Sequence, residues 1–434
     1  MSSLIIIDTL VLIALLVMGV PVPLSFAGAV LVLVCFGDLG NAAFLIGAGY
    51  GKVSSVIVIA LPLYILAGNL MSQGGIANRL IDFADSIFGR MRGGLGIVVV
   101  ITTAVFGAIS GMATSAVAAI GTIMIPRMVE RGYDRAYATT LVAASSVLAL
   151  LIPPSASMIL YGWVTGTSIA ASFLAPIIPG LLLILLFIFW NRVFASRMRI
   201  EQTQAPAGMT PFQNVRAKGR RASWALLMPM VILGCIYGGV TTPTEAAAIA
   251  VVYAIPVSLF IYRDLKPKGL WQVFWYSAET TGVLMILVFF AAMFSRLLTM
   301  ENVPQQILEV FLMVSDNPIV LLLLVNLFLI MIGMLMEDVS GILLAAPMLL
   351  PVIKEIGMDP VQFAAIIATN LGMGLITPPT APILYFAALV GKAPLAPMLR
   401  YMLVFVFLAY LPVVLLTTYI PELSLFLPRL LLGR

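Results

Sequence analysis

Two pairs of adjacent prolines carry the chemistry of this chain. Pro153-Pro154 interrupts the apolar stretch 145–162 (SSVLALLIPPSASMILYG), and Pro378-Pro379 interrupts 370–387 (NLGMGLITPPTAPILYFA). Proline has no N–H and its ring displaces the carbonyl four residues back, so the first pair releases the carbonyls of Ala149 and Leu150 and the second those of Gly374 and Leu375. In a bilayer an unmet carbonyl costs on the order of several kcal/mol unless something polar answers it. A bound cation is one such partner.

The two stretches are copies. Adding 225 to Pro126, Gly132, Asp134, Pro153, Pro154 and Gly166 gives Pro351, Gly357, Asp359, Pro378, Pro379 and Gly391, the same residue type each time. Interrupted apolar segments in corresponding places of an internal repeat are the sequence sign of a secondary transporter, with its site between the repeats at the bilayer midplane.

Composition fixes the class that must hold these breaks. With 62% hydrophobic and 9% charged residues and a mean hydropathy of +1.14, the 434 residues form a polytopic membrane protein, all-α because helices satisfy their own backbone in lipid. No basic region precedes the first apolar run, MSSLIIIDTL, so no cleavable signal is expected. There is no histidine, and Cys35 and Cys235 each stand in an apolar run, which argues against metal and redox chemistry. GAGYGK at 47–52 lacks the pattern of a phosphate loop, since Ile46 stands where glycine and Val53 where Ser or Thr is needed. The net charge of +5 belongs to cytoplasmic loops of a membrane protein and not to nucleic-acid binding.

Residues 4–37, broken by Gly19, Pro21 and Pro23, read as two helices or one long kinked helix, and 53–72 as a span. In 76–92, Ile76, Leu80, Phe83 and Ile87 recur at helical spacing opposite Asn78, Arg79, Asp82, Asp85 and Ser86, which predicts an amphipathic arm in the interface. Basic residues flank 93–128 at both ends, so it reads as a re-entrant hairpin with its tip at Ser110-Gly111; the alternative is one over-long crossing helix. The broken helix covers 138–166, and 168–191 spans back. A basic connector, 192–221, reads as a cytoplasmic loop and separates the first inverted repeat (1–191) from the second (222–434). In the second half, 224–240 spans outward, Thr242-Pro243-Thr244-Glu245 predicts a capping box, and 277–299 crosses again. An arm at 303–314, a hairpin at 318–353 entering from the outside, and a broken helix at 361–391 complete the second repeat.

At this point the motifs FGAISGMATSAVAAIG, IMIPRMVERGYDRAYA, LIPPSASMILYG, GGVTTPTEAAAIA and LPVIKEIGMDPVQFAAI, with NLGMGLITPP, resemble in order those of the large membrane subunit of the tripartite ATP-independent periplasmic (TRAP) transporters. The resemblance implies an elevator-type secondary transporter of the bacterial inner membrane. It would import a small organic acid anion with sodium, receive it from a periplasmic solute-binding protein, and work beside a small four-helix membrane subunit that is not fused here. It further implies a second sodium site at Gly333, Gly374, Thr377 and Thr380. The first site would fall at the corresponding Ala108, Ala149, Ile152 and Ser155, with Ser110 at the inner tip. Met112 stands where the family's inner tip has a second serine, and Ala149 where it has glycine.

Substrate contacts are expected at Ser110 and Ser155, from Asp338, one of two charges in 318–353, from Arg296, the sole cation in 277–299, and from Asn370, four residues before Gly374. Half-helix termini would receive the carboxylate through unpaired N–H groups. Two other functions compete with this one. A stand-alone carboxylate:cation symporter would need no binding protein, and a lipid-acting membrane enzyme would need a base and nucleophile that this sequence does not assemble.

Overall fold

The computed structural model describes residues 3–36, 42–201 and 210–433, and every regular element in it is helical. Two helices, α1 (Ser3–Val17) and α2 (Val22–Phe36), form at the N-terminus, separated where Gly19 takes a positive φ of 79°. A helix that sequence reading did not foresee, α3 (Ala42–Val53), precedes a 3-10 turn at Val56–Ile59 and α4 (Ala60–Gln73). The arm α5 is Ile76–Phe88, burying Ile76, Leu80 and Ile81. Next come α6 (Gly94–Ser110), the short α7 (Ala113–Ala116), a π-helical segment at Val117–Gly121, and α8 (Thr122–Glu130), folding back as a hairpin. The broken helix is α9 (Arg135–Ser146), α10 (Leu148–Leu151) and α11 (Ala156–Thr165), bent by 41° at the prolines. Then α12 (Ile169–Leu174) and α13 (Ile177–Ala195) complete the half.

The second half opens on α14 (Pro211–Tyr237), so the basic connector is not a loop as far as residue 221. Its helix starts early because Thr210 accepts from the Gln213 N–H at 3.3 Å while Gln213 reaches back to the Thr210 N–H at 3.0 Å. The same device starts α15 (Pro243–Pro256): the Glu245 N–H donates to the Thr242 hydroxyl oxygen at 3.3 Å and the Thr242 N–H to Glu245 Oε2 at 2.7 Å. The next crossing helix, α16 (Pro267–Met300), is longer than 277–299 because Pro267 begins it at the interface. After it follow α17 (Val303–Val314), the hairpin α18 (Pro318–Leu335) and α19 (Asp338–Glu355), and the second broken helix, α20 (Pro360–Ile376) and α21 (Pro382–Gly391). The chain closes with α22 (Leu395–Val404), a π-helical segment at Phe405–Tyr410, α23 (Leu411–Tyr419) and α24 (Glu422–Leu432).

Among the described residues six helices are long and apolar enough to cross a membrane, seven with the bent pair counted as one span. Large apolar side chains cover much of the outer surface, Leu185, Phe189, Met230 and Leu327 among them. In water this would be a large apolar patch; in lipid it is the solvent-facing side. Two packed bodies share α16. The first four helices meet α14–α16, with α2 and α3 on α16 and α15 on α4, while the hairpins and broken helices pack on one another, α6 on α9 and α18 on α20. The second body is held by an aromatic cluster: Tyr137 meets Tyr401 at 5.2 Å and Phe194 at 5.3 Å, and Phe187 meets Phe405 at 5.5 Å. Tyr137 donates to Asn191 Oδ1 at 2.9 Å, and Asn191 donates to the Gly93 carbonyl at 2.9 Å, which ties the foot of the first hairpin to α13.

Candidate functional site

Each proline pair ends its helix and leaves four or five non-helical residues before the next one. Ile152 and Ser155 are extended at the first break, while Thr377 is extended and Ala381 left-handed (φ 36°) at the second. Both proline–proline bonds are cis. Each break is met by the hairpin of its own half at backbone distance. A Cβ placed on Gly107 would sit 2.5 Å from Ala149 Cα, and one on Gly374 would sit 2.6 Å from Gly333 Cα. At the first tip, Gly111 (φ 65°) has so little room that a Cβ would lie 3.2 Å from the Pro154 carbonyl. These glycines let carbonyl-bearing backbone converge where side chains would hold it apart.

The sequence-derived candidates divide into those the fold gathers and those it does not. At the second break Gly333, Gly374, Thr377 and Thr380 come together: Thr380 donates to the Met334 carbonyl, and Thr377 to the Met373 carbonyl at 2.6 Å. One released carbonyl, that of Gly374, accepts from the Thr377 N–H at 3.0 Å, so it keeps one lone pair for a ligand. At the first break Ala108, Ala149 and Ser155 are buried, and Ile152 lies half-buried beside them. The Ser155 hydroxyl is 1% exposed as a residue and has no hydrogen-bond partner among the described residues. Ser110, also buried, reaches only the Met112 carbonyl, at 3.5 Å.

A cavity of about 360 Å³ runs between the two tips, with Met112 and Thr114 from the first, Glu337, Asp338 and Val339 from the second, and Tyr276, Glu279 and Thr280 from α16. Asp338 is one of the lining candidates and accepts a hydrogen bond from Ser157, at the start of α11, which joins the first broken helix to the second hairpin. The breaks are neighbours: a Cβ on Gly372 would lie 3.6 Å from the Leu150 side chain. No residue lining the cavity is basic.

Arg296 and Asn370 stand apart from this cavity. The Arg296 guanidinium lies over the Phe44 ring at 5.3 Å, on α3, a helix the sequence reading lacked. Asn370 donates to Asn326 Oδ1 at 2.9 Å and to the Ile366 carbonyl at 2.8 Å, and Thr418 adds a bond to Asn326 at 3.1 Å. Tyr276, Glu279 and Ser157 were not foreseen. Glu279 is the lone acid in the apolar part of α16, which is a signal; Ser157 has none, since its partner lies 181 residues away.

Hairpins meeting broken helices inside an apolar bundle define a membrane transporter. Two solved structures share the fold: the Alcanivorax borkumensis YdaH transporter, at a TM-score of 0.58 and 17% identity over 86% of each chain, and Neisseria gonorrhoeae MtrF, at 0.55 and 14% over 86% of this chain and 83% of that one. The family model for the DctM component of the tripartite ATP-independent periplasmic transporters matches residues 9–423, and the chain belongs to that family. It is 38% identical over 374 residues to the C4-dicarboxylate TRAP transporter large permease protein DctM of Pseudomonas aeruginosa, covering 86% of each. It is 32% identical over 419 residues to the sialic acid TRAP transporter large permease protein SiaM of Vibrio cholerae, covering 96% of this chain and 97% of that one. It is 33% identical to the isethionate TRAP transporter permease protein DctMQ of Oleidesulfovibrio alaskensis over 411 residues, 95% of this chain and 64% of that longer relative's length. It is therefore a multi-pass transporter subunit and not an enzyme.

Proposed function

We propose that this chain is the large membrane subunit of a sodium-coupled importer in the bacterial inner membrane. It takes a small organic acid anion from a periplasmic solute-binding protein and works with a small membrane subunit. The observation that carries the coupling is the acidic lining of the inter-tip cavity: three carboxylates and no basic side chain. An anion entering such a space is repelled unless cations enter with it. The breaks beside the cavity supply oxygen atoms for them. Gly333, Gly374, Thr377 and Thr380 form one site, and Ala108, Ser110, Ala149, Ile152 and Ser155 the other. Substrate then rests on the exposed N–H groups of the half-helices and on Ser110 and Ser155, and meets Asp338 across a bound cation. Arg296 and Asn370 support the fold around it.

The inverted arrangement of the halves provides the route. Element bounds recur at one offset, Arg135 beginning α9 and Pro360 beginning α20, Glu130 ending α8 and Glu355 ending α19, each 225 residues apart. Two such units, oppositely inserted, let the body of hairpins and broken helices slide against the α1–α4 and α14–α16 body as an elevator.

Uptake into proteoliposomes tests this, with labelled C4-dicarboxylate, sialic acid and isethionate as probes because relatives are named for them. With the partner subunits present and an inward sodium gradient, one probe accumulates; with potassium in place of sodium, none does. Accumulation without any binding protein would instead establish the stand-alone symporter.

A further inference from the structure

A cavity of about 810 Å³ opens on the face that carries the basic connector, between the arm α5 and the first turns of α14. It shares no lining residue with the cavity between the hairpin tips. Arg79 and Asp82 reach it from the arm, Lys218, Arg220, Arg221 and Trp224 from α14. Three of its charges, Arg79, Asp82 and Lys218, are already committed. Arg79 pairs with Asp264 and lies over the Tyr262 ring at 3.9 Å. Asp82 is shared by Lys218 at 3.0 Å and Arg127 at 3.4 Å, one carboxylate between two cations. Arg220 and Arg221 have no carboxylate partner among the described residues, so the five cations around this cavity exceed its two carboxylates by three.

The cavity also has a depth. From Ala222 onward α14 turns apolar, with Leu227 and Met230 exposed to lipid, and Trp224 stands one turn beyond Arg220, 43% exposed. A tryptophan at such a boundary marks the level of the lipid headgroups, where an amphipathic arm such as α5 also lies. Gly219 fixes the geometry: a Cβ there would sit 3.1 Å from the Phe83 ring, so the basic run is pressed against the arm and cannot drift from it.

From this we infer that the cavity binds the phosphodiester headgroup of an anionic glycerophospholipid, with Arg220 and Arg221 on the phosphate and Trp224 against the glycerol region. Unpaired guanidiniums at headgroup depth favour a phosphate, which they hold through paired N–H donors. A membrane lipid is the source because the basic run leads directly into the apolar, exposed part of α14 and Trp224 supplies an aromatic wall at that change.

The purified, delipidated chain and its Arg220→Gln/Arg221→Gln variant are titrated with phosphatidylglycerol, phosphatidylcholine and inorganic phosphate, and bound lipid is counted by native mass spectrometry. Wild type should bind phosphatidylglycerol about thirty-fold more tightly than the variant, from two lost charges at the surface. Phosphatidylcholine should bind both alike, and inorganic phosphate should not compete. Equal phosphatidylglycerol affinity in both chains overturns the site, and full displacement by inorganic phosphate overturns the lipid as its source. Should the variant melt lower in phosphatidylcholine, the single variants Arg220→Gln and Arg221→Gln decide: weaker phosphatidylglycerol binding in a single variant whose melting is unchanged supports the site, and wild-type binding in both overturns it.

Discussion

The two helix breaks are built to one plan and satisfied to different degrees. At the second, glycine meets glycine, and both threonine hydroxyls already have carbonyl partners, Met373 for Thr377 and Met334 for Thr380. At the first, glycine meets alanine, Met112 occupies the tip, and the Ser155 hydroxyl is buried with nothing to bond. A buried polar group without a partner costs about 1–3 kcal/mol, so the first break gains more from a ligand than the second does. On our reading the second break is preformed and the first is completed by what binds it.

Substitution at the second break should have the largest effect. Gly374→Ala places a methyl 2.6 Å from Gly333 backbone, where neither side can yield as a flexible side chain would. We expect a stability loss of about 1–3 kcal/mol in denaturant melts and, because the tip is pushed off the break, an uptake loss on the order of a hundredfold. The matching change at the first break, Ala149→Gly, relieves crowding against Gly107 and should leave uptake within a few-fold of wild type. Equal damage from both would erase the difference between the breaks.

The link between the halves comes next. Ser157→Ala removes the donor to the Asp338 carboxylate, a bond worth about 1.5–3 kcal/mol when one partner is charged. Uptake should fall about tenfold, and Ser157→Thr should restore most of it. Unchanged uptake in the alanine variant would place Asp338 outside the transport path.

A smaller effect distinguishes the breaks by sign. Ser155→Ala deletes an unpartnered hydroxyl, so in potassium the variant should be as stable as wild type or about 1 kcal/mol more so, while its gain from sodium shrinks. Thr377→Ala deletes a bonded hydroxyl and should lower stability in both salts by about 1 kcal/mol. Differential scanning fluorimetry in the two salts reads both.

What the sequence disclosed follows from the range of the forces involved. Proline, glycine and amphipathic spacing act locally, so the breaks at Pro153 and Pro378 and the arm α5 could be read from the residues themselves. Thr242-Pro243-x-Glu245 was legible for the same reason, and Thr210-Pro211-x-Gln213 carries the identical signal but was hidden in a stretch read by its charge. The acid lining of the cavity was only half visible: Asp338 stood out, whereas its donor Ser157 and its neighbour Glu279 are brought there by tertiary packing. The Phe44 ring beneath Arg296 was not legible, because a lone cation in an apolar helix does not name its partner. Thr210→Ala, the smallest effect, should cost about 0.5–1 kcal/mol of α14 stability with uptake unchanged, since it lies on neither break.

The central claim is that oxygen atoms at the two breaks hold sodium, and it can be tested without knowing the substrate. The melting temperature of the purified chain is measured in sodium and in potassium at equal ionic strength, for wild type and for the Ser155→Ala/Thr377→Ala double variant. The account predicts a higher melting temperature in sodium for wild type and a much smaller difference for the variant. Identical melting of wild type in the two salts would contradict it.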